Sequence, residues 1–154
     1  MTTPTAGLLR RLGALLYDSF LVVAIWMLIG YTVQLFVGPD TSTLVDGRVQ
    51  TDPVLDALLF TLMLGSCVGF YAWFWCRGGQ TLGMLAWRIK VVNHQGGLIS
   101  LPQALLRFVL AWPAFLCLGM GYLWLYVDPN GDALHDRLSR TRVIVLPRPA
   151  KTGK

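Results

Sequence analysis

The chain has 154 residues, of which 55% are hydrophobic and only 14% are charged. A soluble domain usually carries about a quarter charged residues, and one small core cannot bury this much apolar surface. The composition therefore argues against an ordinary soluble enzyme. The 13 basic residues exceed the 8 acidic ones by five, but most charges stand between long apolar runs, so we expect no nucleic-acid partner.

Three segments contain no Asp, Lys or Arg: residues 19–39, 57–76 and 108–127. Each has about 20 residues, the length that a helix needs to cross the hydrocarbon core of a bilayer. The first is too long for the apolar part of a cleaved signal peptide and lacks a small-residue cleavage site after it, so we expect it in the mature protein. The sequence predicts an all-α membrane protein, a small helical bundle of two to three transmembrane helices.

The third apolar segment leaves the number of spans open. Pro113 cannot donate a helix hydrogen bond, and Gly119 and Gly121 follow it. The segment is therefore either one span or a broken, re-entrant helix pair. A single span would also export the tail at 128–154 with its six basic residues, although basic residues favour the cytoplasmic side.

Basic residues predict the orientation of the first two helices. Arg10 and Arg11 precede the first helix, and residues 77–107 hold four basic residues and no acid, whereas residues 40–56 hold one Arg and four Asp. Because basic loops face the cytoplasm, we expect a multi-pass protein of the inner membrane with a cytoplasmic N-terminus.

The loop after the second helix contains β-prone segments. Residues 88–92 are predicted to form a strand, 93–97 a turn and 98–100 the returning strand of a small cytoplasmic β-hairpin. Residues 141–145 in the tail are also β-prone. They can pair with this hairpin only if the loop and the tail lie on the same side of the membrane, which favours a cytoplasmic tail.

The second helix has a clear start and a stripe of small residues. Asp52 is predicted to cap it and Pro53 to be its first residue. Thr61, Gly65 and Gly69 recur every four residues, and such a stripe allows a neighbouring helix to approach closely. We expect Gly65 and Gly69 to serve helix packing, within the bundle or across a homodimer.

Asp18 is the first choice for a functional residue because it interrupts the apolar stretch at residues 12–37. A carboxylate at mid-membrane costs about 2.5–3.5 kcal/mol on insertion scales, so such residues mark function or an ion pair. Arg11 lies seven residues earlier and shares its helix face. In one interpretation, Asp18 binds a proton or a cation. In the other it lies near the headgroups and pairs with Arg10, Arg11 or Arg107.

Catalytic and metal-binding signatures are missing from the sequence, which has no P-loop, dinucleotide fingerprint, HExxH, CxxC or nucleophile elbow. We therefore expect no enzyme activity, metal or cofactor. His135 stands beside Asp136, but neighbours on a helix point about 100° apart, so we expect this histidine to be solvated. Residues 128–132 are predicted to form a turn rather than a calcium loop.

Three segments carry a family resemblance. The segment from Arg11 to Asp18 has an arginine at the start of the first helix and an aspartate within it. Residues 80–92 contain Gln-Thr-Leu-Gly-Met and Arg-Ile-Lys-Val-Val, and residues 134–143 read Leu-His-Asp-Arg-Leu-Ser-Arg-Thr-Arg-Val. In this order around the apolar runs, the chain resembles the RDD family of small bacterial integral membrane proteins, named for one arginine and two aspartates.

The resemblance implies which residues are the named three. Arg11 and Asp18 correspond to the arginine and the first aspartate, and Asp136 to the second, with Asp128 as the alternative. The chain has Ser139 and Arg140 where the family often has Ala-Gly. The resemblance also predicts one membrane domain at residues 8–146, with short flexible termini at 1–7 and 147–154.

The family is generally described as one of unknown function, with transport suggested and some members linked to sodium/proton antiport. The resemblance thus implies transport of an ion or small solute, with Asp18 as the ion or proton site. Arg11 or Arg107 would adjust the affinity of Asp18, and Asp136 would lie at the cytoplasmic mouth or hold the tail. The alternative is an accessory or scaffold protein that binds lipid or another membrane protein. Besides the lipid bilayer, we expect a homo-oligomer or another membrane protein as partner.

Overall fold

The computed structural model describes residues 4–38, 42–45, 48–116 and 120–147, and it is mostly helical. Its helices are α1 (Leu8–Val37), α2 (Pro53–Arg77), α3 (Leu82–Ala86), α4 (Leu101–Leu116), α5 (Met120–Leu123) and α6 (Leu134–Leu138), with a 3-10 turn at Trp124–Tyr126. Its strands are β1 (Ser42–Val45), β2 (Arg48–Thr51), β3 (Ile89–Asn93) and β4 (Thr141–Val145). The chain divides into two compact units: Ser19–Phe70 forms one, and Met1–Asp18 with Tyr71–Lys154 forms the other.

Within the unit Ser19–Phe70, two antiparallel strands connect the long helices. Ser42 of β1 pairs with Thr51 of β2 at one end of this hairpin, a hairpin that the sequence analysis did not predict. The indole nitrogen of Trp26 on α1 donates a hydrogen bond to the carbonyl of Met63 on α2 at 2.9 Å. The two helices are therefore in direct contact inside this unit.

The helices α1 and α2 are the two helices of the described residues that are long and apolar enough to cross a membrane. Only 6% of the apolar window of each is buried, whereas a core helix of a soluble protein would be mostly buried. The predicted start of α2 is confirmed, since the helix begins at Pro53 and the amide of Val54 donates to Asp52 Oδ1 at 2.8 Å. Local capping chemistry therefore sets where this apolar helix begins.

The third apolar segment is a broken helix. It is divided between α4, α5 and the 3-10 turn. On a straight helix, residues seven apart lie about 10 Å from each other, but a Cβ on Gly121 would overlap the Cβ of Ala114. Ala114 and Gly121 are therefore closer together than one straight helix through both would allow, so of the two alternatives left open by the sequence the described residues favour the broken helix.

The second unit is built around the strands β3 and β4. They pair antiparallel from Ile89 opposite Val145 to Asn93 opposite Thr141. On the other edge of β4, Thr5 forms an isolated bridge with Ile144, so part of the segment 1–7 lies beside the sheet. Because β3 follows α2 and β4 lies in the tail, the second loop and the tail are on the same side of any membrane.

The hairpin predicted within the second loop is wrong, because residues 98–100 form no strand. Asn93 Oδ1 accepts the amides of Gln95 and Gly97 at 2.9 and 2.8 Å and closes a tight turn. The amide of Ser100 then donates to Gln103 Oε1 at 3.0 Å, at the start of α4. The chain thus enters a helix directly after the turn, and β3 pairs with the distant β4 instead.

The segments α3–β3 and α6–β4 repeat one local structure. Each has a five-residue helix, two connecting residues and a five-residue strand. The residue before each strand is an arginine in the left-handed region, Arg88 with φ 56° and Arg140 with φ 54°. At the centre of the strand pair, Val91 faces Val143, and both are buried. The core of this unit therefore lies against one face of the β3–β4 pair.

Candidate functional site

The carboxylate of Asp136 on α6 is fully buried and joins three helices. Its two oxygens accept hydrogen bonds from Nη1 of Arg11 on α1 and from Nη1 of Arg107 on α4. Arg11 Nε also donates to the carbonyl of Ala6, and Arg107 Nη1 to Thr141 Oγ1, both at 2.8 Å. Burial raises the pKa of Asp136, but the charges of Arg107 and Arg11 outweigh it and hold this pKa well below its usual range. Asp136 is therefore a fixed negative charge.

Asp18 on α1 is also buried, with 2% of its surface exposed, but its partners carry no charge. Thr81 Oγ1 donates to Oδ2 at 2.5 Å, and the amide of Gly83 donates to Oδ1 at 2.8 Å. Thr81 is the N-cap of α3 and accepts the amide of Met84 at 3.2 Å. A Cβ on Gly83 would overlap the carbonyl oxygen of Ala14 and lie 2.8 Å from Asp18 Oδ1. Only glycine permits this approach of α3 to α1.

The structure distributes the predicted ion pairs differently from the sequence interpretation. Arg11 and Arg107, two of the partners suggested for Asp18, bind Asp136. Asp128, the alternative second aspartate, pairs at 3.2 Å with Arg137, whose side chain is 61% exposed. Of the three aspartates considered, Asp136 in the C-terminal segment is thus the one that binds Arg11 of α1.

His135 is buried, with 3% of its surface exposed, so the expectation that it is solvated was wrong. Its ring centroid lies 4.8 Å from that of Tyr122, and its Nε2 lies 3.4 Å from Asp136 Oδ1. Burial lowers the pKa of His135 to about 4, although the charge of Asp136 opposes this shift. The imidazole is therefore neutral at pH 7. The turn predicted at 128–132 is confirmed.

The Asp136 cluster, which includes Arg11 and Arg107, and the Asp18 cluster, which includes Thr81 and Gly83, border one cavity of about 70 Å³. Its polar lining consists of Arg11, Asp18, Arg107 and His135, together with the aromatic side chains of Tyr71, Trp75 and Tyr122. A bound water needs about 10–15 Å³ of such space, so the cavity has room for a ligand of a few non-hydrogen atoms. The seven-residue spacing of Arg11 and Asp18 does bring both to one cavity, as their helix positions predict.

Four buried side-chain nitrogens have no hydrogen-bond partner within the described parts of the chain. They are Arg11 Nη2, Trp75 Nε1, Arg107 Nε and His135 Nδ1. All four residues line the cavity. A buried polar group without a partner costs roughly 1–3 kcal/mol and calls for an explanation. These nitrogens make the cavity a candidate site for a polar ligand.

The model of the RDD family matches residues 5–140. The chain belongs to the RDD family. No curated protein and no solved structure matches it. The matched range includes Arg11, Asp18, Arg107 and Asp136, so both clusters lie within the family region. Family membership and the two exposed apolar helices together indicate a membrane protein.

The glycine stripe of this RDD chain is exposed. No described atom outside the local helix lies within 4 Å of a Cβ built on Gly65 or Gly69. Packing within the bundle, one of the two expected roles, is therefore not seen inside the unit Ser19–Phe70 and stays a prediction. Packing against a second molecule stays a prediction.

Sequence reasoning missed several residues of the site in this RDD chain. Thr81 carried a usable signal, since a threonine directly before a short apolar run is a typical N-cap. Trp75 and Tyr122 stand in apolar segments, where an aromatic side chain is typical of both core and membrane interface. In the described parts of the chain, no group of three or more His, Cys, Asp or Glu is placed to hold a metal ion.

Proposed function

We propose that the protein is a multi-pass protein of the bacterial inner membrane that transports an ion or a small solute, with Asp18 as its ion or proton site. The supporting observation is that the buried carboxylate of Asp18 borders a cavity that is also lined by Arg11, Arg107 and His135. Its partners Thr81 and Gly83 are neutral, so protonation of Asp18 breaks no ion pair. Arg11 and Arg107 line the same cavity and compete electrostatically with a cation bound there.

The pairing of β3 with β4 supports the proposed orientation. It joins the second loop to the tail, and both segments are rich in basic residues. Since basic segments beside membrane helices stay in the cytoplasm, we assign the N-terminus, the second loop and the tail to that side.

The proposed transporter is a homo-oligomer in the lipid bilayer. Two long helices alone cannot enclose a polar path, so a second copy has to complete it. The exposed face of α2 at Gly65 and Gly69 offers a surface on which another helix can approach closely. The same exposed glycines favour the second candidate function, an accessory or scaffold protein that binds another membrane protein through α2.

Proton flux in proteoliposomes tests the proposal. Cation/proton exchange, which the family resemblance implies, is tested first with gradients of Na⁺, K⁺ and Li⁺, followed by gradients of small anions. The Asp18→Asn variant is compared with Asp56→Asn, which removes an exposed carboxylate from the first turn of α2. We expect Asp18→Asn to abolish flux at matched insertion and Asp56→Asn to retain it. An assembled wild-type protein without flux under any gradient would instead support the accessory function.

A further inference from the structure

We propose that the cavity binds a small monovalent anion at the same time as Asp18 binds a proton. This inference rests on the proposed function, in which Asp18 is the proton site, and it names the class of solute. The anion lies against Arg11, Arg107 and Trp75, and the proton lies on the carboxylate of Asp18. The two ligands are therefore coupled through the charge of one cavity.

The first argument is the chemistry of the unpartnered donors. Arg11 Nη2, Arg107 Nε and Trp75 Nε1 are N–H groups without a hydrogen-bond partner among the described residues. The side chains of the two arginines are 5% and 6% exposed, and Trp75 is 7% exposed. Guanidinium and indole nitrogens donate hydrogen bonds and accept none. Three such donors on one cavity suit an anion and offer no ligand to a metal cation.

The second argument is the balance of charge. Arg11 and Arg107 share the single carboxylate of Asp136, so these three residues carry a net charge of +1. An ionised Asp18 cancels that charge, and a protonated Asp18 leaves it to an incoming anion. Because opposite charges attract strongly away from water, protonation of Asp18 and binding of an anion favour each other.

The other titratable groups around the cavity do not replace Asp18 in this role. They are Arg11 on α1, Tyr71 on α2, Arg107 on α4, Tyr122 on α5 and His135 on α6. A guanidinium group stays positively charged and a phenol group stays neutral between about pH 5.5 and 8. His135, with its pKa lowered to about 4 by burial, stays neutral over the same range. The described residues of α3, β3 and β4 that line the cavity are apolar.

Binding to the purified protein in nanodiscs tests this proposal by titration calorimetry. Sodium formate and sodium chloride are the probes, and sodium gluconate, whose anion is too large for the cavity, is the control for sodium and ionic strength. We expect the wild-type affinity for formate to fall by about tenfold per pH unit on the alkaline side of the titration of Asp18. Asp18→Asn should bind formate with the affinity that the wild type shows at low pH, and without pH dependence.

Trp75→Phe removes one donor and keeps most of the ring. Because Trp75 Nε1 has no partner in the described residues, we expect normal assembly and an affinity for formate that is at least about tenfold weaker. Trp112→Phe is the matched control, because Trp112 is 52% exposed on α4 and does not line the cavity.

Several results would overturn the inference. They are the absence of formate and chloride binding above the gluconate control, an affinity that does not change with pH, or an unchanged affinity in Trp75→Phe. Cation-driven proton flux without anion binding would overturn the inference and leave the proposed transport standing. Anion binding without flux under any gradient would leave the anion site standing and overturn transport.

Discussion

The two helix–strand segments α3–β3 and α6–β4 share one local structure but hold their carboxylates in opposite ways. At the N-terminus of α3, the carboxylate comes from Asp18 of another helix and accepts the amide of Gly83. At the N-terminus of α6, it comes from Asp136 of the same helix and accepts the amide of Ala133 at 3.2 Å. A carboxylate thus stabilises the positive end of both short helices.

The two carboxylates differ in the charge of their remaining hydrogen-bond partners. Asp136 is bound by two guanidinium groups, which fix its charge, whereas Asp18 is bound by a hydroxyl and an amide, which do not. A buried charge between two opposite charges cannot change its protonation without leaving them uncompensated. We infer that Asp136 is the structural ion-pair centre that joins α1, α4 and α6, whereas the partners of Asp18 among the described residues are uncharged.

The largest expected effect comes from removing the charge of Asp136, which binds Arg11 of α1 and Arg107 of α4. Asp136→Asn leaves Arg11 and Arg107 buried with no carboxylate between them, which typically costs about 3–5 kcal/mol. We expect loss of most correctly assembled protein, measured by size-exclusion chromatography and thermal melting in detergent. Asp56→Asn is the isosteric control, because Asp56 is exposed in the first turn of α2, and its cost should stay below about 1 kcal/mol. If the two variants assembled and melted alike, Asp136 would not be the residue that holds α1, α4 and α6 together.

The next largest effect is a dependence of stability on pH that arises from His135, the neighbour of Asp136. His135 has a pKa of about 4 in the folded protein and about 6.5 when unfolded. Between these values the unfolded chain binds a proton that the folded chain does not, so stability falls as the pH falls from 6.5 to 4. The total is about 3 kcal/mol. The stabilising charge of Asp136, whose folded pKa is depressed, is lost only at pH values below its unfolded value of 3.8.

The measurement is thermal melting of the wild type and His135→Phe from pH 7 to pH 4. Phenylalanine keeps a ring beside Tyr122 but cannot titrate. Burial raises the pKa of Asp132, yet this contributes equally to both proteins, so their difference isolates the histidine. His94→Phe, which changes an exposed residue in a turn, should melt like the wild type. A wild type that loses no more stability on acidification than His135→Phe would refute this assignment.

Local features of the fold could be predicted from the sequence. The cap at Asp52 and the start of α2 at Pro53 follow from contacts between neighbouring residues. The common face of Arg11 and Asp18 follows from the helical repeat alone. Such features depend on residues a few positions apart, so the sequence pattern contains the information needed.

The partners of the buried charges could not be predicted in this way. Arg11 and Asp136 are 125 residues apart, and no periodicity relates such positions. The family resemblance identified Asp18 and Asp136 as important but did not say which one meets the arginine. The suggested pairing of residues 141–145 with the second loop is confirmed as β3–β4, whereas the tight turn after Asn93 excludes the local pairing with residues 98–100.

The smallest effect concerns the approach of α3 to Asp18. A Cβ on Gly83 would overlap the backbone oxygen of Ala14 and crowd Asp18 Oδ1, and such overpacking costs about 1–3 kcal/mol. Gly83→Ala should therefore lower the melting temperature and weaken the hydrogen bond between the amide of residue 83 and the carboxylate of Asp18. Gly30→Ala is the matched control, because no described atom outside the local helix lies within 4 Å of its Cβ, and alanine favours a helix by about 0.5–1 kcal/mol. If Gly83→Ala were as stable as Gly30→Ala, Asp18 would not be held by close contact with α3, and the two carboxylates would differ in packing as well as in charge.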